Sequence, residues 1–134
     1  MIMNYKIIMT SLKGNHMPSI SALKNDIMRL NNKVNMDLYG HGIKTQKVYL
    51  VHDEVIMIVA DNKRISALAA LDSCGYNTSS INLVLLNLFK KRLKEELQNE
   101  LSLSIKSILK DYDNPTQTAI TNIVLREPLT DLMP

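Results

Sequence analysis

From Ser80 to about Asp111 an apolar stripe at helical spacing runs without interruption, and no other feature limits so strongly what this chain can become. Ile81, Leu85, Phe89, Leu93, Leu97, Leu101, Ile105 and Ile108 recur every three or four residues, with Val84 and Leu88 widening the stripe near its start. A helix of that length would measure roughly 45 Å, whereas a compact chain of this size has an expected radius of gyration of about 14 Å. One end is therefore expected to overhang the domain, and an overhanging apolar stripe needs a partner. Self-association into a two-fold homodimer through this helix is the expectation.

With 134 residues and 46% hydrophobic content there is room for one domain and a real core. Trp is absent and Phe occurs once, so the core must be built from Ile, Leu, Val and Met, and eight Met residues make it adaptable. The net charge is +3, the pI is near 9.0, and 16 basic residues are interleaved with 13 acidic ones, which is not the footprint of a dedicated nucleic-acid binder. Cys74 is the sole cysteine, which excludes an intramolecular disulfide and a multi-thiolate metal site and fits a reducing, cytoplasmic setting. Apolar runs such as Val55 to Ala60 fall far short of the roughly 18 residues needed to span a bilayer. A soluble protein, at most peripheral to the cytoplasmic membrane, is expected. The apolar start from Met1 to Met9 is interrupted by Asn4 and Lys6 and lacks a small-residue cleavage site, so it does not read as a signal peptide.

The glycines and prolines all fall at element junctions. After Gly14 and Pro18, a first helix can start at Ser19 or Ser21, with a stripe of Ile20, Leu23, Ile27, Leu30, Val34 and Leu38, and Gly40 supplies a left-handed cap. Lys44 to Val51 and Val55 to Ala60 read as an antiparallel hairpin turning at His52-Asp53-Glu54. The second strand is apolar on both faces, which predicts a central position with each face covered. Asp61 or Asn62 then caps a short helix from Lys63 to Ser73, Thr78 or Ser79 caps the long helix, and Thr118 to Arg126 forms a C-terminal strand. Tyr5 to Thr10 reads as a fluctuating arm, with an added edge strand as the alternative. The expected fold is α+β: a small, mainly antiparallel sheet packed against helices, one of them long. Its organisation is an arm over 1–18, a single domain over 19–128 and a tail over 129–134.

Candidate chemistry is sparse. His16, His41 and His52 sit in predicted loops without metal-ligand spacing, and neither a metal nor a cofactor is expected. Tyr39-Gly40-His41-Gly42 has G-x-G spacing but follows a helix and precedes a strand, the reverse of a dinucleotide loop. Cys74 is a candidate nucleophile only if separated segments bring a histidine to it. Lys90, Lys91, Arg92 and Lys94 form the densest positive cluster, and Glu95 and Glu96 follow at i,i+4 pairing distance from Lys91 and Arg92. The cluster and the distal stripe residues Leu97, Leu101 and Ile105 are the candidate interaction surface.

Leu38-Tyr39-Gly40-His41-Gly42, the hairpin Val48 to Val59, and Phe89-Lys90-Lys91-Arg92-Leu93-Lys94-Glu95-Glu96-Leu97, taken with the order of elements, resemble the MpsC family over about residues 20 to 126. Its members are small soluble bacterial proteins, named as the third component of a sodium-translocating, membrane-potential-generating system. Other components of that system include an integral membrane subunit related to the ion-pumping subunits of respiratory complex I. The resemblance implies a non-enzymatic accessory protein of a membrane cation- or bicarbonate-related transport system. Such a protein would act by contact with integral membrane subunits, and no catalytic residues carry across. Two rival classes remain. A nucleic-acid-binding or ribonucleoprotein role rests on Lys90 to Lys94 and lacks base-stacking aromatics. A small enzyme would need to gather Cys74, His41 or His52 into one pocket.

Overall fold

The computed structural model describes residues 19–129. The arm from Tyr5 to Thr10, His16 and the last five residues lie outside that range. Helix α1 (Ile20–Tyr39) begins where its stripe predicts, with the Ser19 hydroxyl accepting from the Ala22 amide at 3.0 Å. It ends at Gly40, which takes φ 80 and returns its N–H to the Met36 carbonyl. Strands β1 (Thr45–Val51) and β2 (Val55–Asp61) form the expected hairpin, with His52 and Asp53 at positive φ in the turn. A short helix α2 (Ser66–Ser73) starts later than the sequence suggests, because Asp61 still belongs to β2 and Asn62 is buried.

The long helix is shorter than its stripe. Helix α3 (Ser79–Leu101) stops at Ser102, a non-glycine residue in the left-handed region, and the chain re-enters the sheet as β3 (Ile105–Asp113) before β4 (Thr118–Leu125). Ile105 and Ile108 mimic helical spacing for a specific reason. A register shift between Ile105 and Ser107 leaves Lys106 as an extra residue, so two side chains three apart both enter the core from one strand. The roughly 45 Å helix is thereby corrected to 23 residues, about 35 Å.

Strand order is β1-β2-β4-β3, every neighbour antiparallel, so the fold is α+β with an open antiparallel sheet. Helices α1 and α3 pack on one face of it. Leu23, Ile27, Leu30 and Val34 of α1 and Phe89, Leu93, Leu97 and Leu101 of α3 meet Ile56, Ile58, Ile108, Ile123 and Leu125 in one core. Leu129, expected to open the tail, is buried in the same core, and its amide donates to the Asp53 carbonyl at 2.7 Å.

Candidate functional site

β2 is central, as its composition predicts, but among the described residues only one of its faces is covered. Across the opposite face, cross-strand register sets three rows: Lys47, Val59, Ile120 and Asp111; Tyr49, Met57, Asn122 and Leu109; Val51, Val55, Val124 and Ser107. No described helix packs on these rows, and Leu109, Tyr49 and Ile120 are 57%, 42% and 39% exposed. Strand spacing and rise make this face roughly 19 by 23 Å. The face is mainly apolar, broken by Asn122 in its middle row and by Lys47, Asp111 and Ser107 at its edges, and it is of the size of a contact surface.

A second apolar surface lies at the opposite end of α3 from the one its stripe suggests. Lys33 pairs with Glu96 at 2.7 Å, Asp37 with Arg92 at 3.2 Å, and the Tyr39 and Phe89 rings stack 5.7 Å apart. These pairs run α1 and α3 antiparallel and bring α1 to its end beside Phe89. The first ten residues of α3 therefore project past it, with Ile81, Val84 and Leu88 exposed within a 60° arc. The drift of a four-residue repeat explains why: each step rotates the stripe about 40°, so the face that enters the core at Phe89 has turned away from it at Ile81.

The expected interaction residues divide accordingly. Leu97, Leu101 and Ile105 are buried inside the domain and present nothing to a partner. Arg92 is engaged by Asp37 and Glu96 by Lys33, so the anticipated i,i+4 pair between Arg92 and Glu96 gives way to links between the two helices. Lys91 is exposed beside them, while Lys90 and Lys94 are half-buried. His41 and His52 lie at opposite ends of β1 and the Cys74 thiol is exposed after α2. None of the three lines the cavity described next. Gly42 packs against Asn32, where an added Cβ would stand 3.0 Å from Oδ1, and the Ile43 amide donates to that oxygen. That glycine loop thus serves helix packing.

The cavity, about 120 Å³, opens between the free half of α3, the end of α1, the Asn62–Ile65 segment and β3. Its polar rim is built by Arg64. The guanidinium donates to Asp72 at 3.1 Å, Asn82 at 2.8 Å and the Thr78 hydroxyl at 3.1 Å. Thr78 in turn donates to Asp72 at 2.7 Å, and these two groups hold the Asp72 carboxyl below its usual range. Behind the rim, Asn62 exchanges paired hydrogen bonds with Asn35, and the Tyr112 hydroxyl donates to the Asn62 carbonyl. At the base lies Lys110 from β3. Its register partner Thr121 is buried on the helix-covered face, so Lys110 points inward, with Nζ 3.1 Å from the Phe89 ring centre and 5.7 Å from that of Tyr39. The rings favour the ammonium by about 2 kcal/mol each at best, whereas burial disfavours it by several pKa units. Burial wins, pushing Lys110 down to about 7 and the Tyr39 phenol up to about 12.

Sequence reasoning missed Lys110, since Lys106, Lys110 and Asp111 read there as the polar side of a helix. The alternation Leu101, Leu103, Ile105 was the available signal of a change of period.

No protein-family model, curated protein or solved structure matches this chain. Among the described residues no helix is long and apolar enough to cross a membrane.

Proposed function

We propose that this chain is a non-enzymatic contact protein whose working unit is a two-fold dimer closed through the open face of its sheet. The observation that carries this reading is the three-row apolar face. Packed on its copy at the usual sheet separation of about 10 Å, it would bury on the order of 1,000 Å² in total, at the lower edge of specific interfaces. A two-fold axis parallel to the strands sets β1 of one copy over β3 of the other. The dimer then leaves the projecting half of α3 free for a different partner.

By resemblance to the MpsC family, that partner is an integral membrane subunit of a cation-translocating system, and the chain is a cytoplasmic accessory component recruited by protein contact. Ile81, Val84 and Leu88 offer a short apolar anchor, and Lys91 lies further along the same helix. A nucleic-acid role has less support, because Arg92 of the basic cluster is already engaged by Asp37. The test is membrane fractionation in cells with and without the membrane subunits, using the native chain and Val84→Asp. Membrane association that needs both the subunits and Val84, and that survives moderate salt, supports the reading. Association that is equal without the subunits would sink it.

A further inference from the structure

Lys110 enters its cavity with no anion among the described residues to meet it. Among the described residues it makes neither an ion pair nor a hydrogen bond, and its ring contacts occupy only one side of Nζ. Of the other polar groups of the wall, Arg64 is committed to Asp72, Asn82 and Thr78, Asn62 to Asn35, Asn114 to Asp72 and the Tyr112 hydroxyl to a carbonyl, while Lys63 is exposed. The Tyr39 hydroxyl makes no hydrogen bond among the described residues. The Lys110 amine and the Tyr39 phenol, both able to donate, thus have no hydrogen-bond partner among the described residues, while Ile65, Leu85 and Leu86 supply an apolar wall.

We propose that this cavity is a binding site for a small carboxylate with an apolar body, its carboxylate on Lys110 and its body against Ile65, Leu85 and Leu86. The size follows from the volume. A cavity of about 150 Å³ holds benzene, so about 120 Å³ admits a body of four to six heavy atoms. The charge follows from Lys110, the one lysine that enters the cavity from the sheet, Lys63 standing exposed at its mouth, and one inward amine suits a monoanion. A phosphate monoester would bring a second charge, which the Arg64 guanidinium, already spent on Asp72, is not placed to meet. Leu85 and Leu86 belong to the half of α3 that projects past α1, whereas Lys110 belongs to the sheet. A bound carboxylate therefore ties the projecting half to the domain. This inference stands on the cavity alone and does not depend on the dimer or on a membrane partner.

The experiment titrates the full chain with butyrate, isovalerate and benzoate, with isovaleramide and inorganic phosphate as controls, reading thermal stability and the 13Cε resonance of Lys110. At least one carboxylate should bind saturably, raise the melting temperature by mass action and move that resonance. Isovaleramide and phosphate should bind at least tenfold more weakly, and Lys110→Met should lose at least tenfold in affinity while still unfolding cooperatively. Should Lys110→Met not fold, the resonance in the native chain decides, and a resonance that stays still during a saturable titration overturns the site. The absence of saturable binding by all three carboxylates overturns it, as does equal binding of the amide or by a folded Lys110→Met.

Discussion

Lys47 and Asp111 stand at the two ends of a single cross-strand row on the open sheet face, with Val59 and Ile120 between them. Opposite charges at opposite edges of one row are self-complementary. A two-fold axis along the strands would lay each Lys47 over the other copy's Asp111, twice per dimer, around a mainly apolar centre in which Asn122 is the polar residue. Reversing one charge, Lys47→Glu or Asp111→Lys, should then weaken the dimer by about 1 kcal/mol or more, and the double reversal should restore it. Sedimentation equilibrium on the four proteins checks this, and additive losses in the double variant would exclude the axis.

Neighbouring residues of β2 should respond in opposite ways to the same substitution. Ile56 is 2% exposed in the core, so Ile56→Asp should cost several kcal/mol of folding stability. Met57 faces the open side, so Met57→Asp should cost the monomer under about 1 kcal/mol yet abolish self-association. Urea denaturation at low protein concentration, paired with sizing, separates the two effects. Equal destabilisation would mean that both faces are covered in the folded monomer.

Lys110 should tilt stability with pH. Its folded value near 7 lies below its ordinary 10.5, so between those values the unfolded chain holds a proton that the folded chain lacks, and stability rises with pH. Tyr39 acts in the opposite sense only above pH 10, where its contribution fades as pH climbs toward 12. Of the other titratable groups around the cavity, the Tyr112 phenol is pushed up by burial. From pH 7 to 9.5 the native chain should gain on the order of 2–3 kcal/mol relative to Lys110→Met, which should itself be the more stable at pH 7. Matching pH profiles would place the amine in solvent.

The Asn35–Asn62 pair ties α1 to the end of β2 through two hydrogen bonds of 3.3 and 2.7 Å, both residues being buried. Asn62→Ala leaves the buried Asn35 Oδ1 without its donor, although Asn35 Nδ2 keeps its 2.8 Å bond to the His41 carbonyl, and should cost about 1–3 kcal/mol. Replacing both residues together should cost less than the sum of the single changes, which a double-mutant cycle by denaturation measures.

How far the sequence could be read depended on local signals. Ser19 and Gly40 bracket α1 where capping chemistry puts them, and the β1–β2 hairpin follows from Val48 to Val59 with its three-residue turn. The end of α3 was hidden because Ser102 takes a left-handed conformation without a glycine to announce it, and because the bulge at Lys106 gives Ile105 and Ile108 helical spacing within a strand. Once 105 to 113 is a strand, Lys110 turns inward and a cavity appears that no residue pattern could place. The apolar overhang anticipated at Ile105 exists at Ile81 to Leu88, since burial is decided by where α1 stops and not by the stripe alone.

The mass of the chain in solution decides whether the open sheet face closes a dimer. Light scattering coupled to gel filtration at micromolar concentration should give twice the 15.2 kDa chain mass, falling to the single mass with Met57→Asp while the fold is retained. A clean 15.2 kDa species at tens of micromolar, with Leu109 and Tyr49 open to solvent, would contradict it.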